Sequence, residues 1–559
     1  MATPRVAICT DVPGTIHLLN PTSSDGITDA GTSNQQEQLV LQPRPSRDPE
    51  DPLNWTRRRK FRALAMVYLY VFSIGIAACV QYSVLPQISA DTAISLGELN
   101  LGTGLMFLFL GWGCLAWQPL ALAYGRRGVY VASAALSIVP MVWATYSEGA
   151  GQWYAHRSLL GALAASVESL PEVSVPDLFF AHERGNYMAV YVFVVFGSNY
   201  LAPFFAGFIN DRAGWRWTMH FGSLVLAVCA VLLFFFMEET MYFRNDVEGE
   251  HEVEGGGVEE AAKVKNKKED ESSATAHAAR PSDASSSSSS TPSPETYPPP
   301  RSYTTKLKLF VLWERRPTRK QALLKTWRAL QICVYFPTIV WAGLLYGTNL
   351  AWYNVLNATM SPLLGAAPYG FSPTMIGVAY LSPFVFAALG GLWAGRASDA
   401  LMMRLVRRNA GVREPEQRLW ALSVSGLLCA AGLVLWGVGA SRGVHFMGLV
   451  VGCGLATLGS VCAGAIALAY AVDCFKDISG ESVITIIVIR NTIGFAFNYA
   501  IDPWIRSMGL QNCFISAGLI SLVCTWSFLL MTFFGKKLRV MSAERYWRYV
   551  MEDLKTQEA

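Results

Sequence analysis

The chain has 559 residues and 61.3 kDa, with 52% hydrophobic and 15% charged residues, a net charge of +4 and a mean hydropathy of +0.30. A soluble protein of this size carries roughly 25% charged residues, so a soluble enzyme is effectively excluded. The small positive charge gives no footing for a nucleic-acid partner. The cysteines (Cys79, Cys114, Cys229, Cys453 and Cys462 among them) are scattered through apolar stretches without CxxC or metal-like spacing, so no disulfide framework, metal or cofactor is expected.

Residues 1–60 are polar and lack a basic-then-apolar leader, which predicts a disordered tail and leaves targeting to the first span. Charge-free stretches then cover 63–90, 99–125, 128–147, 185–210, 217–237, 419–441, 443–472 and 507–535. Each is long enough for a hydrocarbon core of ~30 Å, which takes about 20 helical residues. No Asp, Glu, Lys or Arg occurs between Arg328 and Arg396, and Asn357, Ser361, Pro362 and Pro368 divide that stretch into two crossings. Two further spans carry charge: 152–175 holds His156, Arg157, Glu168 and Glu172, and 482–505 holds Arg490 and Asp502. The expected spans begin near 63, 99, 128, 152, 185, 215, 330, 373, 418, 443, 482 and 511.

Spacing breaks after the sixth span, where 244–328 holds acidic, basic, serine and proline runs that cannot bury a core. The expected architecture is an all-α membrane protein of twelve transmembrane helices in two six-helix halves, 61–243 and 329–535. The linker 244–328 is read as disordered and 536–559 as a C-terminal tail. Lys and Arg set the orientation. Basic residues gather at 57–62, Arg126, Arg127, Arg184, Arg396–Arg418 and 536–548, against Arg212, Arg216, Arg442 and Arg506 on the other side. That asymmetry puts both termini and the linker in the cytoplasm.

Several motifs are more specific. They are DPEDPLNWTRRRK (48–60), HRSLLGALAASVESL (156–170), DLFFAHERG (177–185), GWRW (214–217), EET (238–240) and REPEQRLW (413–420). With them, residues 48–548 resemble the major facilitator superfamily, in particular a fungal twelve-span branch of the drug:proton antiporter type. The resemblance implies the major facilitator fold, no enzymatic activity, and small molecules and protons as cargo.

Arg157-x-x-Leu160-Gly161-x-x-Ala164-Ala165 is similar to the RxxQGxxAA pattern of that family, with Leu160 in place of Gln, and the resemblance implies proton coupling at Arg157. A charge facing lipid costs several kcal/mol, so Arg157 should face the bundle interior rather than snorkel. Arg157, Gly161, Glu168 and Glu172 share one helical stripe. Arg157 and Glu168 stand ~16 Å apart along the axis, so they do not pair. Glu168 and Glu172 complete the proton-coupling set. Ala202-Pro203-x-x-Ala206-Gly207 resembles a degraded GPxxGG pattern whose small residues let the halves approach.

After the second span only the GRR end (Gly125, Arg126, Arg127) of the family's loop survives, with Leu122 where Asp is usual. After the eighth span Asp399 is kept, so Asp399 with neighbouring arginines is an expected gate, and Arg126 and Arg127 are either gate or positive-inside anchors. The resemblance points to Gln81, Tyr82, Asn349 and Trp352 as cavity residues, with Asn199 and Asn498 as further polar candidates. Asn357-Ala358-Thr359, expected just outside the seventh span, is a glycosylation candidate, and Asn54-Trp55-Thr56 a cytosolic sequon. No Walker-type loop is present, which argues against ATP-driven transport. The reading is a monomeric, proton-coupled plasma-membrane exporter of drugs, toxins or secondary metabolites. The alternative is a proton-coupled importer of polyamines or other organic cations.

Overall fold

The computed structural model describes residues 12–17, 48–242, 308–309, 319–409 and 411–558. The first half comprises α1 (Arg57–Cys79), a short α2 (Leu85–Thr92), α3 (Leu96–Tyr124), α4 (Arg126–Ala144), α5 (Ala150–Ala164), α6 (Ser166–Leu178), α7 (Ala181–Ala213) and α8 (Trp215–Phe236). The second comprises α9 (Arg319–Tyr335), α10 (Pro337–Gly365), α11 (Pro373–Ala379), α12 (Leu381–Leu392), α13 (Ser398–Arg408), α14 (Leu422–Ser441), α15 (Phe446–Cys474), α16 (Ser479–Trp526) and α17 (Phe528–Glu558). Each expected span falls on helical chain. Among the described residues nine helices are long and apolar enough to cross a membrane, and ten if a bent pair counts as one span.

Local chemistry sets the breaks. Gly509 adopts φ 74° and ψ 160°, a conformation open chiefly to glycine, and divides α16 where the eleventh and twelfth spans were expected to part. Phe336 (φ −123°, ψ 80°) and Pro337 at the first turn of α10 end the preceding helix, and α9 meets α10 at 90°. The seventh span therefore starts at Pro337 rather than near 330. Residues 319–328, expected in a disordered linker, belong to α9. Its Arg328 pairs with Glu552 and Asp553 of α17, each at 2.7 Å, so the C-terminal residues continue a packed helix.

The N-terminal tail is also ordered where it is described. Asp51 accepts from the Leu53 amide at 3.0 Å, and Trp55 is buried under the Arg59 guanidinium. Farther upstream, β1 (Ile16–His17) pairs antiparallel with β2 (Val412–Arg413) of the second half. The rest of the expected disordered stretches, within 1–47 and 243–318, lies outside the described residues.

The halves meet along two glycine seams. On α3, Gly97, Gly104 and Gly111 recur every seven residues and face Asp502, Asn498 and Asn491 of α16. A Cβ at these glycines would fall 2.9, 2.9 and 2.7 Å from those side chains. On α7, a Cβ at Gly207 would lie 2.3 Å from the Pro373 carbonyl, while Gly377 faces the Pro203 and Phe204 carbonyls at 3.0 Å. The small residues after Pro203 thus let the halves approach, since backbones touch only where side chains are absent.

Candidate functional site

A small cavity of ≈ 70 Å³ lies in the first half, walled by α1, α3, α5, α6 and α7. Most of its lining is apolar, with Val71, Ile74, Phe107 and Leu110 prominent, and its polar contributions come from Glu168, Ser198, Asn199 and the Cys79 thiol.

Glu168 is the charged residue of this wall. Its carboxylate accepts a hydrogen bond from the Arg490 guanidinium on α16, so the pair joins the two halves. Arg490 is 7% exposed and also lies over the Tyr346 ring of α10, 4.8 Å from its centroid. Glu172, one turn further along α6, feels the charges of both Arg490 and Glu168. Arg490 was legible only as a charge inside a span; its partner lies 322 positions away in sequence, and no spacing rule connects them.

Arg157 does not snorkel. It is 1% exposed, and its Nη2 donates to the Ala78 carbonyl of α1 at 3.0 Å. His156 beside it packs edge-on against Trp153 at 5 Å scale, with ring centroids 4.8 Å apart. Arg157 and Glu168 share the span as expected without pairing, since Glu168 is taken by Arg490.

Of the expected cavity residues, only Asn199 lines this cavity, where its Oδ1 accepts from the Cys79 thiol at 3.4 Å. Gln81 donates to Thr103 at 2.9 Å, Asn349 to the Leu345 carbonyl at 2.8 Å and Asn498 to the Gly494 carbonyl at 2.9 Å. These three spend an amide donor on helix packing instead. Trp352 is fully buried edge-on to Phe497 at 5.2 Å, and Tyr82 is buried after the end of α1.

The expected gate residues are all engaged, and apart from an Arg127 bond to the Lys308 carbonyl at 2.9 Å the contacts below stay within one half. Arg126 pairs with Asp177 at the end of α6. The backbone amides of Arg126 and Arg127 both donate to Glu239, at 3.1 Å each, and the Arg127 side chain donates to the Met237 and Phe234 carbonyls at 2.7 and 2.5 Å. Glu239, from the EET motif, and Asp177 are thus the carboxylates that these two arginines meet. Both arginines are buried. In the second half Asp399 pairs with Arg418 at 3.0 Å, and Arg418 and Arg413 reach Asp473 at 3.4 Å.

Asn357 departs from its expected place outside the seventh span. The seventh span runs on to Gly365, so Asn357 sits inside α10 at 2% exposure, and Thr359 of the same sequon donates to the Val355 carbonyl at 2.9 Å. A glycan has no room there.

The sequence pattern described as the Major Facilitator Superfamily matches residues 67–497. The chain belongs to the major facilitator superfamily. It is 27% identical to an uncharacterized MFS-type transporter of Schizosaccharomyces pombe, C1271.10c, over 97% of this chain and 94% of that protein. It is 24% identical to Protein HOL1 of Saccharomyces cerevisiae over 96% and 97%, and 22% identical to the efflux pump vrtL of Penicillium aethiopicum over 89% of each. Among solved structures it is similar to the xylose transporter XylE from E. coli in a partially occluded inward-open conformation. That likeness has a TM-score of 0.52 at 11% identity, over 84% of this chain and 98% of that one, and concerns the fold alone. As a member of the superfamily the protein is a multi-pass membrane transporter, not an enzyme.

Proposed function

We propose that this superfamily member is a proton-coupled secondary transporter of the plasma membrane that expels small, largely apolar organic molecules by alternating access. Both termini lie in the cytoplasm in this reading. The observation that carries it is the Glu168–Arg490 pair, an acid of one half and a base of the other at the wall of an apolar cavity. Protonation of Glu168 removes the charge that holds Arg490, so proton occupancy and the relation of the halves are linked. The cavity lining suits apolar cargo, and the similarity to a protein named as an efflux pump supports the outward direction.

A second reading, import of polyamines or other organic cations, draws on Glu172. Two carboxylates here share the field of one guanidinium, which would favour an amine. Uptake and efflux of a compound panel in cells with and without the gene, followed by vesicles with an imposed pH gradient, separates the two. Proton-driven accumulation of an apolar compound in inverted vesicles supports export. Proton-driven uptake of spermidine into cells favours the second reading, and indifference to the pH gradient with every compound sinks proton coupling.

A further inference from the structure

At the end of the bundle opposite the chain termini, the two halves close on each other with no ion pair between them among the described residues. The Cys79 thiol on the cavity wall lies 3.4 Å from the Tyr353 hydroxyl of α10. Tyr353 meets Tyr200 of α7 edge-on at 5.6 Å, and the Tyr200 hydroxyl donates to Thr457 of α15 at 3.3 Å. Ser361 of α10 donates to the Ser83 carbonyl at 3.1 Å. The first half supplies Cys79, Ser83 and Tyr200, and the second supplies Tyr353, Ser361 and Thr457. These contacts form a seal above the cavity.

Two more tyrosines are packed into that seal in an unusual condition. Tyr82 of the first half is 2% exposed and Tyr380 of the second 0%, and neither hydroxyl has a hydrogen-bond partner among the described residues. Each is within electrostatic reach of Cys79, and Tyr380 of Tyr82 and Tyr200 as well. A phenylalanine would fill nearly the same volume at either position. The added oxygen is therefore a burden on the closed form, because a buried hydroxyl without a partner has lost its hydrogen bonds to water. Separation of the halves returns those bonds.

We propose that the buried, unpartnered hydroxyls of Tyr82 and Tyr380 keep this seal poised to open, so that these two residues set how readily the far end of the bundle admits water. The contrast with the Glu168–Arg490 pair is physical: that contact joins two opposite charges, whereas the far end has neutral bonds and the Asp211 carboxylate accepting from the Thr374 amide at 3.2 Å, and is loosened by stranded oxygens, those of Tyr82 and Tyr380 the largest side chains among them. The inference goes beyond the transport reading, since opening of the seal can be followed with neither cargo nor proton gradient.

Cys79 is the reporter. The full-length protein is placed in phosphatidylcholine liposomes, and a membrane-impermeant methanethiosulfonate reagent is added outside at fixed pH. Molecules whose C-terminal helix is shielded from external protease have the far end outward. In these, modification of the peptide carrying Cys79 is timed by mass spectrometry and normalised to the rate in denatured protein. Tyr82→Phe and Tyr380→Phe are each expected to slow labelling roughly tenfold by stabilising the closed seal. Ser361→Ala deletes a bond of the closed seal and is expected to speed labelling, a sign that damage to the fold in the Phe variants cannot imitate. Labelling at or above the parent rate in either Phe variant overturns the proposal, as does slowing in Ser361→Ala.

Discussion

Glu168 of the first half and Arg490 of the second form an ion pair inside the bundle, with the Tyr346 ring beneath the guanidinium at 4.8 Å. Removing one partner of a buried pair leaves the other charge uncompensated, at a cost of ~3–5 kcal/mol. Arg490→Gln alone is therefore expected to destabilise the protein more than the double variant Glu168→Gln/Arg490→Gln. Thermal unfolding of the purified variants checks this. A loss in the double variant equal to the sum of the Glu168→Gln and Arg490→Gln losses would mean that the pair carries no coupling energy.

Glu168→Gln tests proton coupling. This variant keeps size and hydrogen bonding but never carries the negative charge, so it is expected to reach the membrane and lose the pH dependence of transport. Glu172→Gln should be milder, because no direct ion pair depends on Glu172 among the described residues. Rates measured between pH 5 and 8 decide it, and an unchanged profile in Glu168→Gln removes Glu168 from proton coupling.

Arg157 tests a different part of the same span. Its guanidinium is 1% exposed and donates to the Ala78 carbonyl at 3.0 Å, which ties the span to α1. Lysine keeps the charge but loses the planar fork of donors, so Arg157→Lys is expected to retain partial transport and Arg157→Ala to retain none. Normal transport by Arg157→Ala would assign the residue no part in the cycle.

The sequence made the helical halves legible because lipid forbids charge over about 20 residues, and the charge-free stretches lie mostly on helical chain. The same rule explains why Arg157 and Glu168 could be placed in the interior. It says nothing about which charge meets which, and so Arg490 remained a lone basic residue until the fold brought α6 and α16 together. Amides were harder still. Asn349 and Asn498 each satisfy a donor on the carbonyl four residues earlier, a purely local solution that leaves no mark in the sequence. Leu122 stands where an acid is usual, and the carboxylate that meets the Arg126 and Arg127 backbone amides is Glu239, remote in sequence.

The α3–α16 seam gives a steric prediction. A Cβ at Gly111 would lie 2.7 Å from Asn491 Cβ and 3.2 Å from the Ile487 carbonyl, with helix backbone on both sides. Gly111→Val is expected to push the halves apart and to lower transport at least tenfold, an order of magnitude set by overpacking costs of roughly 1–3 kcal/mol. Gly151→Ala, which meets nothing within 4 Å, is the control and should transport as the parent does. Transport rates divided by the amount of protein in the membrane give the comparison.

The final prediction concerns orientation, on which the cytoplasmic placement of both termini rests. Asn54 is exposed and its side chain donates to the Asp48 carbonyl at 2.9 Å, beside the basic start of α1. With the termini in the cytoplasm this sequon never meets the glycosylation machinery. Asn357 is enclosed within α10, and Thr359 of its sequon also accepts from the Trp436 indole at 3.2 Å, so it too is expected to stay bare. Glycosidase treatment should therefore leave the mass of the parent unchanged, and Asn54→Gln and Asn357→Gln should match it. A glycan on Asn54 would put the termini outside, move Asp399 and Arg418 to the outer face and reverse the direction assigned to transport. A glycan on Asn357 would instead require α10 to end before that residue when the chain enters the membrane.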